Sequence, residues 1–285
     1  MAIAADYDVE LPTDVPAPAS RAATFARRAW TATWPKLLAI AIVILGWQSE
    51  VWLKLYHEYL LPSPFTVLDA MYHEPGKLLT ASLVTMRHGV QGFVIAAIIG
   101  GVVGIAVARV KILRAAIGSM ITGLQTMPSV AWVPLAIILF KGGQGVVTFV
   151  VVIGAAPSIA NGIINGIDHV PPILLRAGRV LGARGFGALR HVVIPAALPS
   201  VMGGLKQGWA FAWRSLMAAE LIGGLSGKLG IGQLLNGRAA QDDYIGVLEA
   251  MIVILIIGIL VDSLVFGTAD RALRRRYGLI DAATG

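Results

Sequence analysis

The chain has no cysteine and little charge. Among its 285 residues, Asp, Glu, Lys and Arg together make only 14%. The first absence excludes disulfides and thiolate metal sites. The second argues against an ordinary soluble domain, where about 25% of residues are charged. A G-x-x-x-x-G-K-[ST] phosphate loop is missing as well, since Gly227-Lys228 lacks both the preceding glycine and the following hydroxyl. The five histidines (His57, His73, His88, His169, His191) show no metal-ligand spacing, which speaks against a membrane enzyme. There is no convincing internal repeat with paired broken helices, the mark of many gradient-driven transporters. The start of the chain is acidic, with Asp6, Asp8, Glu10 and Asp14 among Pro12, Pro16 and Pro18. That composition predicts a disordered tail and no cleaved leader.

What is present is apolar. Hydrophobic residues make 56% of the chain and there are 33 glycines; the mean hydropathy is +0.76. Roughly 20 apolar residues cross a bilayer core, and the charge-poor runs predict six spans. They are 35–53, 89–108, 115–140 (broken at Gln125-Thr126-Met127-Pro128), 145–167, 192–221 and 245–269. The predicted organisation is a disordered cytoplasmic tail over 1–30, a first transmembrane helix over 31–60, a core of five spans over 61–276 and a C-terminal tail over 277–285. The expected fold class is therefore all-α and integral to the membrane.

Orientation follows from the Lys/Arg bias. With the N-terminus inside, fifteen of the 23 Lys and Arg fall in segments on that side, and Lys206 and Arg214 lie within a span. Both termini and the loop 168–191 are predicted to be cytoplasmic. The net charge of +7 then has a topological cause, and nucleic acid is not an expected partner.

Loop 168–191 concentrates the charge, with Arg176, Arg179, Arg184, Arg190 and His191 between two apolar runs. Pro171-Pro172 suits a helix start, while Gly182 and Gly185 interrupt the pattern. Two short helices with a bend fit better than one long helix. Leu175, Val180, Leu181, Phe186 and Leu189 supply apolar contact. Two readings are open on these residues alone: a docking helix for a soluble partner, or an ordinary basic interfacial loop.

Intramembrane polar groups are functional candidates because they are costly in lipid. Gln207 and Arg214 are seven residues apart on one helix face, and Lys206 adjoins them. Cations lining a pathway would favour an anion; alternatively Lys206 or Arg214 snorkels or pairs with Glu220. Gln125, Thr126 and Met127 precede Pro128, and broken helices are tolerated where they line a cavity or are buried in protein. These three residues are expected on the pathway, with Pro128 structural. Glu220 is expected to be structural too, bonding backbone at a re-entrant turn. Glu249 and Asp262 are expected to be partly solvated at span ends. Trp209 with Trp213, and Gly100 with Gly101 and Gly104, are expected to serve helix packing. A protein that merely anchored a soluble partner would not need polar residues so deep in spans three and five.

The loop resembles the cytoplasmic loop of ABC-importer permeases, whose motif runs E-A-A, three residues, Gly, nine residues, I-x-L-P. Here Arg176-Ala177-Gly178, then Gly182, then Val192-Val193-Ile194-Pro195 keep that spacing. Arg176 replaces the acidic residue and Gly178 the second alanine. The stretch Gln125–Leu135 (QTMPSVAWVPL), Ala212-Trp213, Ala219-Glu220-Leu221-Ile222 and Gly230-Ile231-Gly232 resemble the nitrate/sulfonate/taurine/bicarbonate branch of that family.

The resemblance covers roughly 61–276. It implies a type I importer-like permease in a prokaryotic plasma membrane, with no catalytic centre and no cofactor of its own. It implies two permease copies, a partner ATPase carrying ATP and Mg, and an extracytoplasmic binding protein. Docking residues implied by the match are Arg176, Ala177, Arg179, Leu181, Gly182, Ala183, Arg184, Phe186 and Pro195. An aliphatic sulfonate or taurine is the expected solute, with nitrate, bicarbonate or a sulfate ester as alternatives.

Overall fold

The computed structural model describes residues 21–223 and 229–277, and no strand occurs among them. The acidic N-terminal segment, all but one residue of the expected C-terminal tail and the Gly227-Lys228 pair lie outside the described residues. Contacts divide the chain into two units, 1–64 and 65–285.

In the first unit, α1 (Arg21–Trp52) begins within the segment expected to be a tail. Lys36 on one side and Gln48-Ser49-Glu50 on the other leave only 37–47 unbroken. The Trp47 indole donates to the Pro62 carbonyl at 3.0 Å, closing the loop that follows.

The second unit is a helical bundle. After α2 (Pro64–His73) come α3 (Pro75–Arg109), α4 (Lys111–Thr126), a short 3-10 turn (Ser129–Trp132) and α5 (Val133–Phe140). Then follow α6 (Gln144–Asp168), α7 (Pro172–Val180), α8 (Gly185–Ala188), a π turn (Leu189–Val193) and α9 (Ile194–Ile222). The chain closes with α10 (Ile231–Ala239), α11 (Tyr244–Leu260), a second π turn (Val261–Phe266) and α12 (Gly267–Arg276). Among the described residues four helical runs are long and apolar enough to cross a membrane: 75–109, 144–168, 185–222 and 244–276. The pair formed by α4 and 129–140 passes the same test only when taken together, and it is bent by 104° as a broken span or a re-entrant loop is.

Helix α6 is the centre, packed mainly on α9 and α3. Small residues let the backbones approach. A Cβ on Gly162 would lie 2.5 Å from the Gly204 Cα, and one on Gly166 would lie 2.9 Å from the Ala197 carbonyl oxygen. On the other side, Cβ atoms on Gly100 and Gly104 would meet the carbonyl oxygens of Ala156 at 2.5 Å and Ala160 at 2.9 Å. Gly101 meets nothing within 4 Å, so the close contact uses Gly100 and Gly104 alone. Around these crossings Val146, Val147, Val150, Val151, Ile159 and Leu216 form the buried core. Trp209 is buried as well, edge-on to Phe93 at 5.3 Å and stacked on Trp213 at 6.3 Å, a packing role as expected.

Candidate docking loop and solute pocket

The loop begins where Pro172 starts α7 with Pro171 just outside it. Its end is a Schellman closure: Ala183 N–H donates to Gly178 O at 2.8 Å and Gly182 N–H to Arg179 O at 3.1 Å. That closure places the residue after the cap in the left-handed region, normally glycine. Gly182 has φ +83° and Gly185 has φ +52°, so the two glycines make the bend between α7 and α8. Gly178 is buried, and a methyl there would fall 2.7 Å from Val192 Cγ2. The departure from alanine at this position thus lets α7 lie against the π turn that leads into α9.

The outer surface of the bend is apolar among cations. Val180, Leu181 and Phe186 are 88%, 86% and 73% exposed, with Arg176, Ala177, Arg179 and Arg184 exposed around them. Among the described residues, none of these arginines has a carboxylate within ion-pair distance. Ala183 and Pro195 are half-buried, Pro195 in the first turn of α9. The run 185–222 is continuous, so displacement of the loop is carried directly into α9.

Deeper in the bundle, beside the middle of α6, α4 breaks. Pro128 disfavours helix at the residue before it, and Met127 is extended at φ −74°, ψ 130°. Pro128 itself is extended, and the 3-10 turn follows. The break opens a cavity of about 440 Å³ walled on one side by Gln125, Thr126, Met127 and Pro128 and on the other by Phe211 and Arg214. Trp132 and Gly154 also line it. A Cβ on Gly154 would overlap the Ser215 hydroxyl oxygen and lie 3.2 Å from its Cβ, so glycine lets α6 and α9 meet closely beside the cavity. The Arg214 guanidinium lies over the Phe211 ring, 5.4 Å from its centroid. Among the described residues no carboxylate pairs with it, which leaves its donors available to an anion. Thr126 donates its hydroxyl to Gly123 O at 2.8 Å, leaving the oxygen able to accept.

The structure therefore brings Gln125, Thr126, Met127 and Arg214 together, as the sequence led us to expect. It does not bring Lys206 there. Lys206 pairs with Asp262 at 3.2 Å, both about half exposed, because α9 turns Lys206 toward the last helical run. Asp262 lies in the π turn of that run, not at its end. Gln207 is exposed on the face below Arg214 and does not line the cavity.

Glu220 is 1% exposed and forms a knot across three helices. The Thr85 hydroxyl donates to it at 2.8 Å, and the Gly232 N–H at 3.0 Å. Thr85 in turn accepts from the Ile231 N–H at 2.8 Å, and His88 lies 3.5 Å away. A Cβ on Gly230 would be 2.5 Å from the Glu220 carboxylate and one on Gly232 would be 2.7 Å from Glu220 Cβ. The glycines of Gly230-Ile231-Gly232 thus make room for the acid. Sequence reasoning missed Thr85 and His88, which carry no local signal and lie far off in the chain.

Glu249 is not solvated at a span end; it is 2% exposed. Arg238 reaches it at 3.4 Å while holding Asp243 at 2.8 Å and Glu74 at 3.4 Å. The hydrogen bond and charge of Lys77 keep the Glu74 carboxyl below the usual glutamate range.

Comparison with known proteins gives the family and the fold. An ABC transporter permease protein of Methanocaldococcus jannaschii is 30% identical over 232 residues, covering 79% of this chain and 85% of its own. The bicarbonate transport system permease protein CmpB of Synechococcus elongatus is 33% identical over 188 residues, 66% of this chain and 67% of its own. The riboflavin transport system permease protein RibX of Chloroflexus aurantiacus is 28% identical, covering 71% and 76%. Among solved structures, an amino acid ABC transporter aligns with a TM-score of 0.57 at 19% identity, over 73% of this chain and 97% of that one. The MetNI methionine ABC transporter aligns at 0.53 and 21% identity, over 71% and 98%. These two establish the fold, that of type I ABC importer permeases. The model of the family described as binding-protein-dependent transport system inner membrane component matches residues 92–277, and the chain belongs to that family as a permease subunit of an ABC transporter.

Proposed function

We propose that two copies of this chain form the pathway of an ATP-driven importer for a small anion, an aliphatic sulfonate or taurine being the best fit. The observation that carries this reading is the Arg214 guanidinium in the cavity opposite the break at Gln125-Thr126-Met127. Arginine can give paired donors to two oxygens of a sulfonate, a nitrate or a bicarbonate. The same cavity has apolar walls from Met127, Trp132 and Phe211. A short hydrocarbon tail would use those walls, which bicarbonate and nitrate lack the means to do. CmpB is named for bicarbonate, and that anion is the second reading.

In the proposed cycle an extracytoplasmic binding protein delivers the solute, and ATP with Mg binds only on a partner ATPase. Each ATPase docks on Val180, Leu181 and Phe186 within the ring of arginines. Closure of the ATPase pair tilts the bend at Gly182, and continuity through the π turn rocks α9 with Arg214. The pathway then alternates between outward and inward access, with both chain termini on the ATPase side.

Uptake into proteoliposomes that carry the permease, its ATPase and its binding protein tests the solute. Unlabelled ethanesulfonate should displace labelled taurine at lower concentration than bicarbonate does. Displacement by bicarbonate alone would transfer the assignment to the second reading.

A further inference from the structure

The cavity is lined from α9, from α6 and from the break that ends α4, and of these only the break is not joined to the loop by a short run of chain. Arg214 and Phe211 stand on α9, continuous with the loop. Gln125, Thr126 and Met127 end α4, which enters the bundle separately. Helix α4 is loosely held, for Ile121 is its one buried side chain, packing with Ile117 against Ala160 and Ile164 of α6. At its start stands a second attachment. Arg114 Nη2 donates to Asp168 Oδ1 at 2.7 Å, and the same guanidinium donates to the carbonyls of Val107 at 3.5 Å and Ala108 at 3.3 Å.

Three helix ends meet at this one side chain. Val107 and Ala108 are in the last turn of α3, Arg114 is in the first turns of α4, and Asp168 is the last residue of α6. A carboxylate at a helix C-terminus is repelled by the carbonyl end of the dipole, so Asp168 is disfavoured by its own helix and calls for a cation. Beyond it, His169, Val170 and Pro171 alone separate it from α7. Val170 is buried, and prolines 171 and 172 fix φ, so this connection is short and stiff. From Arg114 to Thr126 the helix rises about 18 Å to the cavity.

We infer that the Arg114–Asp168 pair is a strut through which the loop moves the α4 wall of the cavity, making Arg114 and Asp168 positioning residues for transport. The inference rests on the reading of the loop as the ATPase-facing element. The pair's side chains are 43% and 32% exposed, and exposed ion pairs contribute little to stability. Its consequence is therefore in coupling and not in melting temperature.

The test uses the assembled transporter in proteoliposomes, with solute uptake and ATP hydrolysis measured on the same sample. Asp168→Asn should leave melting temperature and ATPase attachment close to wild type, while ATP hydrolysed per solute imported rises several-fold. Arg114→Gln should do the same, and Arg114→Lys, which keeps the charge but not the fork to the carbonyls, should recover part of the coupling. Because the chain has no cysteine, Arg114→Cys with Asp168→Cys offers a unique pair for a short bis-maleimide spanner. Bridging should restore coupling that the unbridged double variant lacks. A wild-type ratio in Asp168→Asn, or transport blocked by the bridge, would overturn the strut. Absence of ATP-coupled uptake in the wild type would instead overturn the reading of the loop, and the strut with it.

Discussion

Arg214→Ala is expected to raise the KM for an anionic solute roughly 10- to 100-fold while leaving the protein folded. Hydrogen bonds to a charged group contribute about 1.5–3 kcal/mol, and each 1.4 kcal/mol is about tenfold in affinity. Arg214 is exposed to the cavity, with Phe211 beneath it and no carboxylate partner among the described residues. Its removal therefore leaves no buried charge unpaired, and melting should change little. Arg214→Lys should recover part of the loss, since a lysine restores the charge without the planar fork. Initial-rate uptake across a solute series checks both variants. An unchanged KM in Arg214→Ala would remove the residue from the pathway.

The second large effect is structural. Gly204→Leu should destabilise the bundle severely, because its Cβ would lie 2.6 Å from the Gly162 Cα and 3.3 Å from the Ser158 carbonyl oxygen. The obstruction is backbone, which cannot rotate away, so α6 and α9 must separate. Overpacking a core costs about 1–3 kcal/mol where side chains can adjust, and the cost here should reach or exceed the top of that range. The adjacent Gly203 provides the control: its Cβ meets nothing within 4 Å. Gly203→Leu should melt near the wild-type temperature in detergent, and Gly204→Leu far below it or not assemble at all. Equal melting of the two would mean that the helices do not cross at this point.

Features that depend on a few neighbouring residues were legible in the sequence. Proline at 128 announces the break in α4, and Pro171-Pro172 with Gly182 and Gly185 announce two short helices with a bend. Arg214 and Gln125–Met127 were expected on a common pathway, and the cavity contains both. Pairings between distant segments were not legible, because they depend on how each helix is rotated against its neighbours. Thr85 with Glu220 is one case, across 135 residues. Lys206 is another: apolar periodicity places it beside Gln207, yet only the position of the π turn shows that Asp262 takes it. Glu249 looked like a solvated end residue because nothing nearby in sequence reveals that Arg238 folds over it.

The most direct test of the account is whether this chain holds a P-loop ATPase through the bend at Gly182. The tagged protein would be purified from its own membranes in mild detergent, and the proteins recovered with it identified by mass spectrometry. Gly182→Asp would be treated in parallel, since it forces a side chain into φ +83° on the docking surface without meeting any atom within 4 Å. The account predicts an ATPase with the wild type, and its loss from a variant that is inserted and melts normally. A wild-type protein that imports solute with no ATPase attached, or a Gly182→Asp variant that retains both the ATPase and full uptake, would contradict it.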